Sequence, residues 1–127
     1  MQSNFFVYVL LAISTTLIEC CRLQLRVNSL TDKPFEFQAY VPAIKVKTDR
    51  VRFNANGQHR VALIEGNNCN EKHWVFKTWS LKEDKWIPAH EIKLKLEGNG
   101  YYGVNIDDNH QMKRKEMFAV LCSEGPC

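Results

Sequence analysis

The chain has 127 residues, a formal net charge of +3 and 24% charged side chains. That is enough for one domain with a modest core and too little for two. The mild positive charge permits contact with anionic surfaces but does not point to nucleic acid.

Residues 5–18 (FFVYVLLAISTTLI) form an uncharged, mostly apolar run, followed by Glu19, Cys20 and Cys21. A spanning helix needs roughly 20 apolar residues, so this run reads as a secretory signal peptide. Cleavage after Cys20 is expected, with 1–20 as leader and 21–127 as one secreted, extracellular domain with no transmembrane segment. The cut removes one of the 14 acids (Glu19) and none of the 17 bases, which raises the net charge by one, to +4. It also reduces five cysteines to four: Cys21, Cys69, Cys122 and Cys127. An even number in an oxidising compartment implies two disulfides. Four cysteines allow three pairings and the sequence does not choose among them. The pairing expected here is Cys69–Cys122 with Cys21–Cys127, which would tie the chain ends together.

Alternation with a period of two begins at Leu23 and marks strands with one apolar face. Leu23, Leu25 and Val27 alternate with Gln24 and Arg26. Phe35, Phe37 and Ala39 alternate with Glu36 and Gln38. Pro42, inside the apolar stretch Tyr40–Ile44, cannot donate to a ladder and predicts a strand end or edge. Further strands are expected over Val51–Phe53, Arg60–Ile64, Trp74–Ser80, Ile92–Leu96, Tyr101–Ile106 and Met117–Cys122, all rich in β-branched, aromatic or aliphatic residues. Gly, Asn and Asp clusters at 31–34, 54–57, 66–68, 82–85 and 98–100 predict the turns. Many short strands at near-regular spacing predict an all-β, single antiparallel β-sandwich (Ig-like, transthyretin-like or C2-like), stapled by disulfides. Ile92, Leu94 and Leu96 share even numbering with Tyr102, Val104 and Ile106. A hairpin closed by Gly98-Asn99-Gly100, with Leu94 opposite Val104, satisfies that parity.

Residues 107–118 predict a long polar loop, with a helical turn capped by Asp108 as the rival. Within it, Lys113, Arg114 and Lys115 are the densest positive run. They are the expected contact for an anionic partner, with Lys93 or Lys95 extending the patch; a solvated loop is the plainer reading. Asp107, Asp108 and Asn109 offer oxygens, but no calcium-loop spacing is present, so no metal and no cofactor are expected. His59, His73, His90 and His110 sit far apart in sequence. Two of them converging with a lysine such as Lys77 would make a hydrolase; with no G-x-S-x-G elbow and oxidised cysteines, no enzyme activity is expected. Trp74 and Phe76 fall on one strand face and Trp79 on the other. Trp79 either anchors a partner or folds against Trp86 after the bend at Ser80.

The leader runs into C-R-L-Q-L-R-V-N-S-L-T-D-K-P-F, followed by W-V-F-K-T-W-S, L-E-G-N-G-Y-Y-G-V and a final C-S-E-G-P-C. With these strings the chain resembles the small secreted β-sandwich proteins that are numerous in nematodes. The resemblance implies a sandwich over the whole mature chain and supplies no catalytic or ligand residues. The functional expectation is therefore a secreted, non-enzymatic binding or interaction domain. Its partner would be an extracellular protein, a glycan or a lipid surface. The alternatives are a secreted hydrolase and an extracellular structural protein that associates through an edge strand.

Overall fold

The computed structural model describes residues 20–127, so the expected leader, apart from Cys20, lies outside the described residues. Eight strands follow in order: β1 (Cys20–Ser29), β2 (Phe35–Val41), β3 (Val46–Lys47), β4 (Val51–Phe53), β5 (His59–Asn67), β6 (Trp74–Lys82), β7 (Lys85–Ile106) and β8 (Met112–Glu124). Pro42–Ile44 form one 3₁₀ turn, so the proline does end its strand. Among the described residues no helix is long and apolar enough to cross a membrane.

The strands make one eight-stranded sheet in the order β3-β2-β6-β7-β1-β5. β4 also lies against β2 and β8 against β7. The all-β reading holds, but the sheet is mixed rather than antiparallel: β1 runs parallel to β7, from Gln24 opposite Tyr101 to Ser29 opposite Ile106. Alternation reports which face a residue occupies. It does not report which distant strand lies alongside, so this pairing left no local signal.

The predicted hairpin at 98–100 does not form. β7 is one unbroken strand of 22 residues. Its first part pairs β6, with Leu94 opposite Trp74, and its second part pairs β8, with Val104 opposite Arg114. The real hairpins flank it. β6 and β7 meet through Glu83 and Asp84, both at positive φ, as a two-residue hairpin turn requires. β7 and β8 meet through Asp107–Gln111, where Asp107 Oδ1 accepts from the Asn109 and Gln111 amides at 2.9 Å each. Residues 112–118 are therefore strand, not loop, and Asp108 caps no helix.

The sheet curves round a single core. Leu23, Leu25, Val27, Phe35, Phe37, Phe53, Trp74, Phe76, Leu94, Leu96, Tyr102 and Ile106 are all buried. Phe76 on β6 and Tyr102 on β7 approach to 6.4 Å between ring centroids. Where the curve nearly closes, the Arg60 guanidinium of β5 lies 5.9 Å from the Phe53 ring of β4. Leu94 and Leu96 are inside and Lys93 outside, as the alternation predicts; Ile92 and Lys95 are intermediate.

Both disulfides differ from the expected pairing. Cys21 joins Cys69, and Cys122 joins Cys127. The β1–β5 ladder sets Cys21 opposite Gly66, three residues before Cys69, so the first bond staples the start of β1 to the segment leaving β5. The second closes a small ring at the C-terminus, turned by Gly125 at φ 103°.

Candidate functional site: an arginine–tryptophan face

The outer face of β2, β4 and β6 carries an arrangement built by period-two spacing. Glu36 projects outward from β2, and its register partner on β4 is Arg52. Arg50 sits two positions earlier, on the same face. Its guanidinium lies 2.7 Å from Glu36 Oε1, and that of Arg52 lies 3.5 Å from Oε2. Each arginine also covers an indole. Arg50 Cζ is 3.9 Å from the Trp79 ring centroid, and Arg52 Cζ is 4.8 Å from that of Trp86. Trp79 pairs Pro88 and Leu81 pairs Trp86 across the β6–β7 ladder, so both indoles occupy this outer face. They are half-buried, each beneath its own arginine.

The charges do not cancel. Two guanidiniums share one carboxylate, which leaves one cation in excess. Glu36 is 8% exposed although it faces outward, because the arginines cover it. A desolvated carboxylate held by two arginines fixes their planes. Further along the same face, Lys47 lies over the Tyr40 ring at 5.1 Å, and Lys77 pairs Glu91 at 3.4 Å. Gln38, Tyr40, Lys47, Val75, Lys77, Glu91 and Lys93 line a shallow groove of about 290 Å³ there.

Lys113, Arg114 and Lys115 lie elsewhere, exposed on edge strand β8. Lys113 is 4.0 Å from Asp107. Arg114 acts on Tyr102: burial pushes that phenol above its ordinary 10.0, and the arginine charge pulls it back. Lys93 and Lys95 do not extend this run. Lys95 pairs Glu124 whereas Lys113 pairs Asn105, ten residues further along β7, which is roughly 33 Å of strand.

The histidines are partly dispersed. His59 is exposed on β5. His73 Nε2 lies 2.8 Å from Glu124 Oε2. His90 and His110 do line one cleft, with Lys33 and Lys82 but not Lys77. There His90 Nε2 is 3.0 Å from the Asn109 carbonyl oxygen. His110 is 7% exposed, its Nε2 is shielded without a partner, and its ring lies 5.4 Å from that of Phe35. No cluster of three or more metal-ligating side chains occurs among the described residues.

Burial lowers the His110 pKa from its ordinary 6.5. The Lys33 carbonyl and Asp107 oppose the shift, while the Lys33 ammonium and His90 add to it. Below that ordinary value the unfolded chain binds a proton that the native state resists, so stability falls with pH. The melting temperature should drop between about pH 7 and about pH 5, and His110→Asn should flatten that slope while accepting the residue's positive φ of 60°. A variant with the wild-type slope would assign the acid sensitivity to other groups.

No family model matches the sequence, and no curated protein matches it. Among solved structures, the chain is similar to part of a crystal structure described as a Gram-negative toxin. The identity is 12%, with 77% of this chain and 23% of that chain covered and a TM-score of 0.37. It is also similar to part of the human-specific toxin intermedilysin, at 11% identity, 78% and 24% coverage and a TM-score of 0.35. The chain therefore spans about a quarter of the length of each.

Sequence reasoning missed Arg50 and Arg52. The signal was present: in Arg50-Val51-Arg52-Phe53 the basic residues alternate with core residues, which commits both to one outer face.

Proposed function

We propose that the chain is a secreted, non-enzymatic binding module. In this reading the curved sheet works as a β-sandwich, with β5-β1-β7-β8 as one layer and β3 and β4 with β2-β6-β7 as the other. Its partner is an anionic extracellular polymer, a sulfated or carboxylated glycan, held on the Arg50–Trp79 and Arg52–Trp86 face.

The carrying observation is the uncompensated guanidinium. Arginines already fixed by Glu36 and stacked on indoles lose little freedom when they meet an anion, so the site is pre-organised. The planar indoles also offer a stacking surface to sugar rings. The non-enzymatic reading draws support from the His90–His110 cleft. There the His110 Nε2 is sealed from solvent and the His90 Nε2 engages the Asn109 carbonyl, so neither of these two nitrogens is open to a substrate.

Retention on a heparin column tests this. Arg52→Gln and Arg50→Lys should each elute at lower salt than wild type. The first removes charge, and the second keeps charge but loses the planar fork and its stacking. Screening over about 8 Å at physiological salt makes the wild-type interaction fall steeply as salt rises. If both variants elute with wild type while Lys113→Gln/Arg114→Gln/Lys115→Gln elutes early, the contact lies on β8 instead. Anionic vesicles in place of heparin separate a lipid surface from a glycan.

A further inference from the structure

On the outer face of β2, β6 and β7, with β3 and β4 at its edge, the register sets side chains in rows that cross the strands. The first row holds Arg52, Glu36, Trp79 and Pro88. The second holds Gln38, Lys77 and Glu91. The third holds Lys47, Tyr40, Val75 and Lys93. Among the described residues the ion pairs on this face are Arg50 and Arg52 with Glu36, and Lys77 with Glu91. The first row, with Arg50 reaching into it at Glu36, therefore keeps one cation in excess, and the second is neutral. The third keeps both of its cations: Lys47 and Lys93 are exposed, and neither meets a carboxylate among the described residues. They stand on either side of a floor made by Tyr40 and Val75, with Lys47 Nζ 5.1 Å from the Tyr40 ring centroid. The groove of about 290 Å³ lies over the second and third rows.

We infer, on the reading that the arginine–tryptophan face holds a glycan, that this lysine row is a second anion subsite for the same ligand. The ligand is then a linear glycan with anionic groups on both sides of an uncharged stretch, lying along β2 and β6. Glu36 and Tyr40 are four residues apart on β2, which puts the two cationic rows roughly 13 Å apart at about 3.3 Å per residue. That exceeds the screening length of about 8 Å at physiological salt, so the rows bind separate anions instead of adding their fields on one. A monosaccharide cannot reach both rows, whereas a chain can. Once one end is held on the arginines, the other meets the lysines at high effective concentration, and the two subsites together exceed either alone. The row between them suits an uncharged unit. Its lysine and glutamate already pair, and Gln38 Nε2 donates to the Thr48 carbonyl oxygen at 2.9 Å, which fixes the amide and leaves its oxygen to accept from a sugar hydroxyl.

Isothermal titration calorimetry of the full chain, produced in a secretory host with its disulfides intact, tests this against heparin-derived disaccharide and octasaccharide. The wild type should bind the octasaccharide at least about a hundredfold more tightly than the disaccharide. Lys47→Gln/Lys93→Gln should shrink that ratio at least about tenfold. Its melting temperature should stay near wild type, since both lysines are exposed. Arg52→Gln should weaken binding of both ligands. Lys113→Gln/Lys115→Gln removes the same charge from β8 and should leave the ratio at its wild-type value. An Arg52→Gln protein that binds both ligands as tightly as wild type would overturn the arginine–tryptophan reading, and the lysine row with it. If Arg52→Gln weakens both while Lys47→Gln/Lys93→Gln keeps the wild-type ratio, that reading stands and the second subsite is overturned. An equal fall in the β8 variant would reduce the effect to net charge and overturn the subsite as well. An oligoglutamate of octasaccharide length with the same dependence on Lys47 and Lys93 would assign the rows to an acidic peptide and overturn the glycan.

Discussion

Replacing Cys21 and Cys69 together by alanine should lower stability by about 4 kcal/mol, as read by denaturant unfolding of otherwise oxidised protein. The bond spans 48 residues, so its loss releases a long loop in the unfolded chain, and closure entropy grows with loop length. Both cysteines are also buried in the native state, 4% and 1% exposed, and pack in the core cluster. The Cys122–Cys127 bond spans only 5 residues at an exposed chain end. The same entropy model assigns it about 2 kcal/mol at most, and fraying of the terminal residues should reduce that further. The two double-alanine variants should therefore differ clearly in unfolding midpoint. Equal losses, or a larger loss at the C-terminal ring, would contradict the staple between β1 and the segment leaving β5. Peptide mapping under non-reducing conditions gives an independent check on the pairing.

The strands were legible because burial alternates along them. Leu23, Leu25 and Val27 are inside, as are Phe35, Phe37, Trp74 and Phe76, and the period of two says so without reference to tertiary context. Topology was less legible. The even parity shared by Ile92, Leu94, Leu96, Tyr102, Val104 and Ile106 fits a hairpin with a three-residue loop. It fits an uninterrupted strand equally well, because a continuous strand also preserves parity. Gly98-Asn99-Gly100 matches a turn signal, and that match favours the hairpin on sequence alone. Glu36 illustrates a different limit. Its outward orientation follows from alternation, but its burial depends on Arg50 and Arg52, which reach it from another strand. The candidate site was hidden for that reason: its members come from β2, β6, β7 and β4 with the residue just before it, and only the register brings them together. The Cys21–Cys69 bond shares this dependence, since its two cysteines meet through the β1–β5 ladder.

Gly100 explains why glycines occupy the middle of so long a strand, and its substitution should be the most damaging single change in this region. Between the pairs Gly98–Val120 and Tyr101–Phe118, β7 supplies two residues, Asn99 and Gly100, where β8 supplies only Ala119. The mismatch forms a bulge that draws the two backbones together, and bulges of this kind bend a strand and sharpen its twist. A Cβ at Gly100 would overlap the Phe118 carbonyl oxygen and lie 2.8 Å from the carbonyl carbon. These are backbone atoms of a paired strand, so no rotamer change relieves the clash. Gly100→Ala should therefore cost about 3 kcal/mol or more, at the upper end of overpacking losses. Gly57→Ala makes the comparison informative. Nothing lies within 4 Å of a Cβ there, but the residue sits at φ 88°. It should cost only the roughly 1–2 kcal/mol of placing an L-residue in the left-handed region. Urea unfolding of the two variants would measure the difference directly. If Gly100→Ala proved as mild as Gly57→Ala, the close approach of β7 and β8 would be refuted, and a turn at 98–100 would again be the better account of this segment.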